Sequence, residues 1–425
     1  MADSCKSNDV AVVPAPCLAR EIQACHSSSS SCARGIVLKT TCHRYCSRTP
    51  TEPWRTSSEW GEMLIEKPRI PIGDILLCGW WPEFLKILFY RAKGYRIGKG
   101  VSIGFGAVIC GEQVEIGDHT SIGFLTIIRG KEVRLGSYVQ IGSLTFLDTP
   151  YIEIGEGTKI NEQVFVGGLQ FPDSRFVVGR NCQIMQMSFI NPARSIVIGD
   201  DTGVGGHCLI FGHTSWLNQF EGYAVDFAPI EIGKGVGLAW RTFVLPGAKI
   251  GDGTMVGVNS VVSGSLPPRS MAVGCPARVV AGPPAFPKKV SSDEKVEMFR
   301  RIVAEMIQVF VGSGLNCERD GDYYEIRKPI SGWRVGKAKS WRMQVTDGDV
   351  REALKRLGGT KVDVFLSLYE IPDDVRELLS ARTTLWIDIT KKEQPRFSND
   401  LGDEVSNFLK RYGVRTLRCP RASLS

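Results

Sequence analysis

The feature that most constrains the fold is a six-residue periodicity that begins at Ile97 and continues to Val262. An aliphatic residue recurs at every sixth position, is usually followed by glycine, and often has a small residue four places on. An α-helix requires a period near 3.6 and an amphipathic strand a period of 2, so neither explains the pattern. The hexads form eight groups of three: Ile97/Ile103/Ile109, Ile116/Ile122/Ile128, Leu135/Ile141/Leu147, Ile154/Ile160/Val166, Val178/Ile184/Ile190, Ile198/Val204/Ile210, Ile232/Leu238/Val244 and Ile250/Val256/Val262.

Three hexads supply three short strands, which is enough for one coil of a solenoid. We therefore predict an all-β parallel β-helix of about eight coils over residues 97–281, in which Pro267 and Pro268 end the hexad repeat after Val262. One aliphatic side chain from each strand points inward and stacks on its counterparts in the neighbouring coils. Small residues recur near the turns, where the backbone bends sharply and coils approach each other closely.

The spacing of the coils locates a long insertion. The first positions of most coils lie 18 to 20 residues apart, with one step of 24, but the step from Ile198 to Ile232 is 34 residues. This coil carries 16 additional residues between Ile210 and Ile232. Residues 212–231 read GHTSWLNQFEGYAVDFAPIE, and His213 stands at the root of this loop. A long loop on a rigid scaffold is a frequent location of functional residues.

Three motifs follow the loop: Pro229-Ile230-Glu231-Ile232-Gly233, Leu245-Pro246-Gly247 and Gly274-Cys275-Pro276-Ala277-Arg278. With the hexads, their order resembles the hexapeptide-repeat acyltransferases, in particular the polysaccharide and sugar O-acetyltransferases, over about residues 95–282. The resemblance implies left-handed coils, against the usual crossover rule. It also implies an enzyme that transfers acetyl from acetyl-CoA, without a metal, to a hydroxyl group.

The catalytic base that the resemblance implies is His213, which occupies the place of the family's catalytic histidine before the variable loop. Acyl transfer from a thioester to a hydroxyl needs a base for the hydroxyl proton, and histidine titrates near neutrality. Asp226 or Glu221 could orient His213 from the loop. Trp216 could form a wall of the acceptor pocket, although a packing role is equally consistent with the sequence.

The CoA site that the resemblance implies lies along the coils, between neighbouring subunits. The family's frequent tryptophan is Gly237 here, with a tryptophan three residues later. Its frequent basic residue is Gly264 here, so Arg269 or Arg241 could supply the charge. The residues predicted to contact CoA are Gly237, Ala239, Trp240, Ser260 and Arg278.

Two other histidines fall within the repeats. His207 lies in the middle of a coil and could line or support the site, whereas His119 is predicted to be a solvated turn residue. The γ-class carbonic anhydrases use the same scaffold with three zinc histidines. Their spacing matches poorly here, because His207 and His213 are six residues apart and His119 lies far upstream.

The acceptor and the partners are less constrained by the residues. We expect a sugar hydroxyl of a polysaccharide or its precursor and, from the resemblance, a homotrimer. The alternatives are a small-molecule acceptor (an antibiotic, amino acid or amino sugar) or a non-catalytic β-helix that binds glycans. The net charge of +7 is modest for 425 residues, so we expect no nucleic-acid partner, although the charge could attract CoA or an acidic glycan.

The regions outside the repeats are predicted to differ in character. Residues 1–60 read as a disordered Ser- and Cys-rich tail, 61–96 as a helical cap, 282–292 as a linker and 293–425 as an α+β domain without a catalytic motif. In this domain Ser291 and Glu294 predict a capping box at the start of a helix, the segments YYEIR and VDVFLSLY strands, and DLGDEVSNFLKRYGV a second helix.

The location is predicted to be cytoplasmic, because the 13 cysteines lack disulfide or metal spacings. The CHRYC segment at 42–46 is the one spacing that could suggest zinc, and no second pair follows it. Aromatic residues of the segment 75–92, beside Lys86, Arg91 and Lys93, leave open a peripheral contact with the inner face of a membrane.

Overall fold

The computed structural model describes residues 71–321, 323–329 and 339–419 of the 425-residue chain. The predicted tail at 1–60, the CHRYC segment and the first ten residues of the predicted cap lie outside the described residues.

The repeats form a left-handed parallel β-helix, as predicted, with three long sheets of very short strands. Sheet 1 contains β1 (Arg96–Ile97), β4 (Gln113–Ile116), β7 (Glu132–Leu135), β10 (Tyr151–Ile154), β13 (Arg175–Val178), β16 (Ile196–Ile198), β21 (Ile230–Ile232), β24 (Lys249–Ile250) and β27 (Ser265–Leu266). Sheet 2 contains β2 (Ser102–Ile103), β5 (Ser121–Ile122), β8 (Gln140–Ile141), β11 (Lys159–Ile160), β14 (Gln183–Ile184), β17 (Gly203–Val204), β22 (Gly237–Leu238), β25 (Met255–Val256), β28 (Met271–Val273) and β29 (Arg278–Ala281). Sheet 3 contains β3 (Val108–Cys110), β6 (Ile127–Arg129), β9 (Phe146–Asp148), β12 (Phe165–Val166), β15 (Phe189–Asn191), β18 (Leu209–Phe211), β23 (Phe243–Val244) and β26 (Val261–Val262).

The core is the column of side chains that the hexads predict. All members of the eight triplets are buried, and equivalent members stand in register, as in the pairing of Ile97 with Ile116. The small residue four places after a hexad position joins adjacent coils. Thr120 donates its hydroxyl to the Gly136 carbonyl oxygen at 2.7 Å, and Thr126 donates to that of Gly142 at 2.8 Å. Each coil is thereby fixed to the next by polar contacts as well as by hydrophobic packing.

The β-helix extends further than the eight coils. Pro267 and Pro268 were predicted to end the repeat, but β27 and β28 follow the eighth coil in sheets 1 and 2. The prediction was wrong because the two prolines lie in the turn between these strands, where no ladder hydrogen bond from their nitrogen is needed. β29 then pairs antiparallel with β28 and ends sheet 2.

The N-terminal end of the β-helix packs against a short helical segment. This segment contains α1 (Ile72–Asp74), a π-helical turn (Ile75–Gly79) and α2 (Glu83–Ala92). Lys86 is completely buried, and its ammonium group donates to the carbonyl oxygens of Gly104 at 2.7 Å and Ala107 at 3.2 Å. Lys86, one of the three cations in the membrane interpretation, therefore binds the first coil, whereas Arg91 and Lys93 are exposed. No helix among the described residues is long and apolar enough to cross a membrane.

The C-terminal domain is built on a mixed seven-stranded sheet with helices on both faces. Its strands are β30 (Asn316–Asp320), β31 (Tyr323–Lys328), β32 (Lys339–Thr346), β33 (Val364–Ser367), β34 (Leu385–Asp388), β35 (Glu393–Pro395) and β36 (Leu417–Cys419), paired in that order. Its helices are α3 (Ser292–Gly312), α4 (Val350–Arg356), α5 (Asp373–Ala381) and α6 (Asp400–Leu409), and 3-10 turns lie at Lys410–Tyr412 and, in the β-helix insertion, at Gln219–Glu221.

The helices and strands predicted from local sequence in this domain are present in the structure. The Ser291 hydroxyl accepts from the Glu294 amide, and the Glu294 carboxylate accepts from the Ser291 amide, which is the predicted capping box. Phe299, Val303 and Met306 from α3 lie in one buried cluster, while α4 and α5 pack with Phe365 in another. The α+β character is thereby confirmed.

Candidate active site

His213 lies at the corner of the β-helix where the chain leaves sheet 3, and the long insertion starts there as a small hairpin. In this hairpin β19 (His213–Thr214) pairs antiparallel with β20 (Asp226–Phe227). Gly212 allows the chain to pass close to the previous coil, since a Cβ atom at this position would lie 3.1 Å from the Arg194 nitrogen and from the Asn191 carbonyl oxygen. The loop root is therefore fixed against the scaffold, and His213 is only 8% exposed.

Both ring nitrogens of His213 have hydrogen-bond partners. Nε2 lies 2.8 Å from the Asn191 amide nitrogen, and Nδ1 lies 3.1 Å from the Ser215 hydroxyl oxygen. An amide nitrogen can only donate, so Nε2 accepts in this arrangement. The proton of the neutral imidazole is then on Nδ1, which donates it to Ser215. This tautomer leaves on Nε2 the lone pair that a general base requires.

Aromatic rings surround the imidazole. Its centroid lies 5.9 Å from the ring of Phe227, 6.0 Å from Phe211 and 6.0 Å from Trp216. Desolvation in these surroundings lowers the pKa of His213 below its ordinary value, because burial disfavours the charged imidazolium. The side chain is therefore kept as a neutral base to a lower pH than a solvated histidine. Trp216 is 72% exposed, so a buried packing role does not describe it.

The prediction that Asp226 or Glu221 orients His213 was wrong. In the hairpin His213 is opposite Phe227, and Asp226 is opposite Thr214. Side chains alternate between the two faces of a strand, so Phe227 and not Asp226 contacts the imidazole. Glu221 is exposed and accepts instead from the Asn218 amide at 2.9 Å.

Asn191 is a site residue that the sequence did not reveal. It ends β15, one position after the inward-facing Ile190, and pairs with Phe211 in the next coil. Its side chain is 4% exposed, and its amide oxygen Oδ1 has no hydrogen-bond partner within the described part of the chain. The available signal was positional, because Asn191 precedes the coil with the long insertion and lies at the same corner as His213.

A second, shorter insertion reaches the same corner. It belongs to the coil that begins at Ile154, whose step of 24 residues the sequence had shown. Its Phe171 ring contacts Phe227 edge-on at 5.2 Å, and the guanidinium of Arg194 lies 4.0 Å from the centre of Phe171. A Cβ atom on Gly168 would lie 2.4 Å from the Asn191 amide nitrogen. The two insertions therefore enclose the Asn191–His213 pair together.

The residues predicted to contact CoA lie on another part of the β-helix. Gly237 is in β22, and Ala239 and Trp240 follow at the corner between sheets 2 and 3. Ser260 lies at the same corner of the next coil, completely buried, and its hydroxyl accepts from the Gly274 amide at 3.0 Å. Arg278 is exposed at the start of β29, three strands from β22 in sheet 2, or about 14 Å at the usual strand spacing.

Trp240 lies flat against the neighbouring coil. A Cβ atom on Gly206 would lie 2.7 Å from its ring, and the His207 ring is 5.8 Å from it. Arg241 is exposed beside Trp240, whereas Arg269 lies in the turn between β27 and β28, at the corner between sheets 1 and 2. Of the two alternative basic residues, only Arg241 is therefore at the Trp240 corner.

The histidines of the repeats do not converge. His207 is at the Trp240 corner, and His119 stacks on Tyr138, with a centroid distance of 5.1 Å, at the corner between sheets 1 and 2. In the described ranges no group of three or more His, Cys, Asp or Glu side chains is placed to hold a metal ion.

Comparison with known proteins gives partial matches to several curated proteins. A provisionally named acetyltransferase of Staphylococcus aureus (strain Mu50) is 42% identical over 74 residues, which are 17% of this chain and 34% of that protein. The provisionally named lipopolysaccharide biosynthesis O-acetyltransferase WbbJ of Escherichia coli (strain K12) is 32% identical over 111 residues, 24% of this chain and 57% of WbbJ. These relatives are named as acetyltransferases. The chain spans about a third to somewhat more than half of their length, and no family model matches it.

Solved structures with this type of repeat are similar over part of the chain. A hexapeptide-repeat acetyltransferase of Vibrio cholerae complexed with acetyl-CoA is 17% identical, with a TM-score of 0.23, over 49% of this chain and 84% of that one. The polysialic-acid-specific acetyltransferase NeuO is 14% identical, with a TM-score of 0.31, over 50% of this chain and 90% of that one. Scores this low give no support to an inference about function.

Proposed function

We propose that the protein is a CoA-dependent acyltransferase that transfers acetyl from acetyl-CoA to a sugar hydroxyl, with His213 as the general base. The observation that carries the proposal is the position of His213, which is buried at the root of the insertion with its Nε2 2.8 Å from the Asn191 amide nitrogen. Desolvation there lowers its pKa and so favours the neutral base. The names of the sequence relatives support the acetyl group and, for WbbJ, a saccharide acceptor.

In the reaction the acceptor hydroxyl oxygen attacks the thioester carbonyl carbon while Nε2 of His213 takes the hydroxyl proton. The resulting imidazolium returns the proton to the departing CoA sulfur when the tetrahedral intermediate collapses, so the base is regenerated. The Ser215 hydroxyl accepts from Nδ1–H throughout and holds the ring in the required tautomer. An arriving hydroxyl takes the place of the Asn191 amide at Nε2, and the displaced amide becomes a donor that can stabilise the oxyanion.

Acetyl-CoA is assigned to the corner that carries Gly237, Ala239, Trp240 and Ser260, with Arg278 or Arg241 near its phosphates. Trp240 offers a large, partly exposed ring, and both arginines are exposed. Within one chain this corner and His213 lie on opposite sides of sheet 3. A homotrimer would bring the CoA corner of one subunit to the His213 corner of the next, and for that reason we include it in the proposal.

The test is acetyl-CoA turnover, measured as free thiol release from the full-length protein with a panel of mono-, oligo- and polysaccharide acceptors. We expect release that depends on an acceptor and falls by at least about 100-fold in His213→Ala, the lower range for loss of a general base. Lys131→Ala is the control, since Lys131 is an exposed residue at the same corner of the β-helix, four coils away.

The outcomes separate the alternatives. Acetylation of an amine but not of any sugar hydroxyl would change the proposed acceptor class from a sugar hydroxyl to an amine. Unchanged turnover in His213→Ala would remove the histidine from the mechanism. Absence of turnover with every acceptor, together with absence of CoA binding and retained glycan binding, would favour a glycan-binding scaffold.

A further inference from the structure

A polar cleft lies between the outer face of sheet 2 and the C-terminal domain, apart from the corner that carries His213. Its volume is about 400 Å³, within the range of small-molecule sites. The β-helix contributes side chains from successive coils, among them Lys159 of β11 and Gln183 of β14. The C-terminal domain contributes Lys410 and Arg415, which follow α6, and Arg418 in β36.

Part of this boundary is made of contacts that only dock the two domains. The Tyr138 hydroxyl donates to the Arg396 carbonyl oxygen at 3.0 Å, and Lys392 forms an ion pair with Asp201 at 3.3 Å. Arg415 donates to the Asp201 carbonyl oxygen. The Tyr138 hydroxyl and the Lys392 ammonium group are therefore explained by docking, whereas Arg415 uses only its Nη2 group there and keeps an Nε–H without a partner in the described part of the chain.

The cations inside the cleft are not explained in the same way. Lys159 and Lys410 form no ion pair among the described residues, and the hydrogen bond of Lys410 goes to a neutral amide oxygen, that of Asn407, at 3.1 Å. The carboxylates that line the cleft are Glu156 and Asp403. Each already faces an arginine, at 3.7 Å from Arg396 and 2.9 Å from Arg418 respectively.

The positive charges lie close enough to disfavour one another. The pKa of Lys410 is lowered, chiefly by desolvation and then by the charges of Lys159, Arg418 and Arg415, with Asp403 opposing them. The Arg415 Nε–H is buried without a hydrogen-bond partner in the described part of the chain. Lys159 and Lys410 are exposed, so their ammonium groups are accessible to a ligand, and an anion bound between them would relieve the repulsion and could accept from the unused Arg415 donor.

We propose that this cleft binds a phosphorylated small molecule, of the class of sugar phosphates and nucleotides, between Lys159, Lys410 and Arg415. Lysine and arginine donors match phosphate oxygens, and the amide side chains of Gln140, Gln183 and Asn407 add neutral donors for hydroxyl groups. The stacked rings of His119 and Tyr138 form an aromatic wall. Because both domains supply cations, binding also joins the C-terminal domain to the β-helix.

The assignment is separate from the acetyltransferase proposal, since the cleft contains none of the residues assigned to acyl transfer. Binding by the full-length His213→Ala protein should therefore equal binding by the unmodified protein. Failure of acetyl transfer would leave this inference intact, and failure of binding here would leave the acyl-transfer proposal intact.

The test is calorimetric titration of the full-length protein with inorganic pyrophosphate, glucose 1-phosphate, UDP and, as a non-phosphorylated anion, glucuronate. We expect at least one phosphorylated probe to bind, with an affinity that falls as salt is raised because the contacts are ionic. The double variant Lys159→Gln/Lys410→Gln should bind that probe at least ten times more weakly. The matched control is Lys131→Gln, an exposed lysine of the β-helix outside the cleft.

The probes separate the sources of the phosphate. Tighter binding of glucose 1-phosphate than of UDP and pyrophosphate would assign a sugar phosphate, and the reverse order with UDP tightest would assign a nucleotide. Absence of binding by all phosphorylated probes at millimolar concentration would overturn the proposal, as would equal binding by the double variant. Binding of glucuronate alone would overturn the assignment to phosphate. Thermal unfolding of the unliganded variant shows whether the substitutions leave the fold intact.

Discussion

The contact between Asn191 and His213 predicts that a single substitution changes the pH dependence of the proposed acetyl transfer. The substitution Asn191→Asp exchanges the amide nitrogen for an oxygen of nearly the same position, 2.8 Å from Nε2. In the unmodified protein desolvation lowers the pKa of His213, so activity should persist below the pH at which a solvated histidine is protonated. A carboxylate at this distance favours the imidazolium and acts against that effect.

The magnitude follows from the separation and the burial. An opposite charge within hydrogen-bond distance of a titrating group shifts its pKa by about 1–3 units. Each unit corresponds to about 1.4 kcal/mol of preference for the charged form. The acid limb of kcat/KM in Asn191→Asp should therefore lie about 1–3 pH units above that of the unmodified protein. Below the raised pKa of Asn191→Asp, kcat/KM should fall up to tenfold for each unit by which the pH decreases. Above that pKa the histidine is neutral again, and part of the activity returns.

The assay is thiol release as a function of pH, combined with a nuclear magnetic resonance titration of carbon-13-labelled histidine in the full-length protein. The titration reports the pKa of His213 even if the variant turns over slowly, because the His213→Ala spectrum identifies its signal. Gln113→Glu is the charge control, since it adds one negative charge on an exposed position of β4. An acid limb and a histidine signal that stay in place in Asn191→Asp, or that move to lower pH, would refute the assigned contact.

Three further outcomes follow from burial and charge. Ile160→Ala should lower the free energy of unfolding by about 2–5 kcal/mol in denaturant titration, because the Ile160 side chain is fully buried in the column. Val197 is 39% exposed, so Val197→Ala should lower the free energy of unfolding by less than about 0.5 kcal/mol. Trp240→Ala should raise KM for acetyl-CoA at least about tenfold with little change in kcat. The free energy of unfolding should also change little, since Trp240 is 42% exposed. A change in kcat alone would contradict a role of Trp240 in binding acetyl-CoA. Because the pKa of His213 is lowered in the folded state, the unfolded state binds the proton of this histidine first as pH falls. The unmodified protein should therefore lose stability relative to His213→Gln as pH falls below about 6.5 and through the folded-state pKa. Equal pH dependence of the two proteins in urea titrations would contradict the desolvation of His213.

The buried core of the β-helix could be predicted because each coil requires the same type of side chain at the same positions. Every strand must place one aliphatic residue in the column, so the sequence shows a six-residue periodicity. The triplet members are buried as expected. The turn residues are also readable, since Thr120 and its equivalents occupy a fixed place after the hexad position. Pro267 and Pro268 misled the prediction because proline ends a helix or a central strand but is tolerated in a turn of this solenoid.

The contacts of the site could not be predicted from local sequence. Asn191 and His213 are 22 residues apart and meet because the coils place them at one corner, which depends on the length of every turn between them. Asp226 was a reasonable partner by residue type, but one step of register in the hairpin turns Phe227 toward the imidazole instead. In the C-terminal domain β34 and β36 do not belong to a repeat, so no sequence periodicity predicts them.

The position of the site follows from the way in which a solenoid accepts extra residues. Inside a coil an added residue would displace an aliphatic side chain from the column, so length can vary only at the corners. The coil that begins at Ile154 and the coil that begins at Ile198 both vary at the same corner, and their insertions therefore lie side by side. The regular coils position the backbone of Asn191 and Gly212, while Phe171 and Phe227 from the two insertions contact each other beside His213, which is 8% exposed. A neutral, desolvated histidine can exist there because the scaffold supplies its hydrogen-bond partners and the loops supply its hydrophobic surroundings.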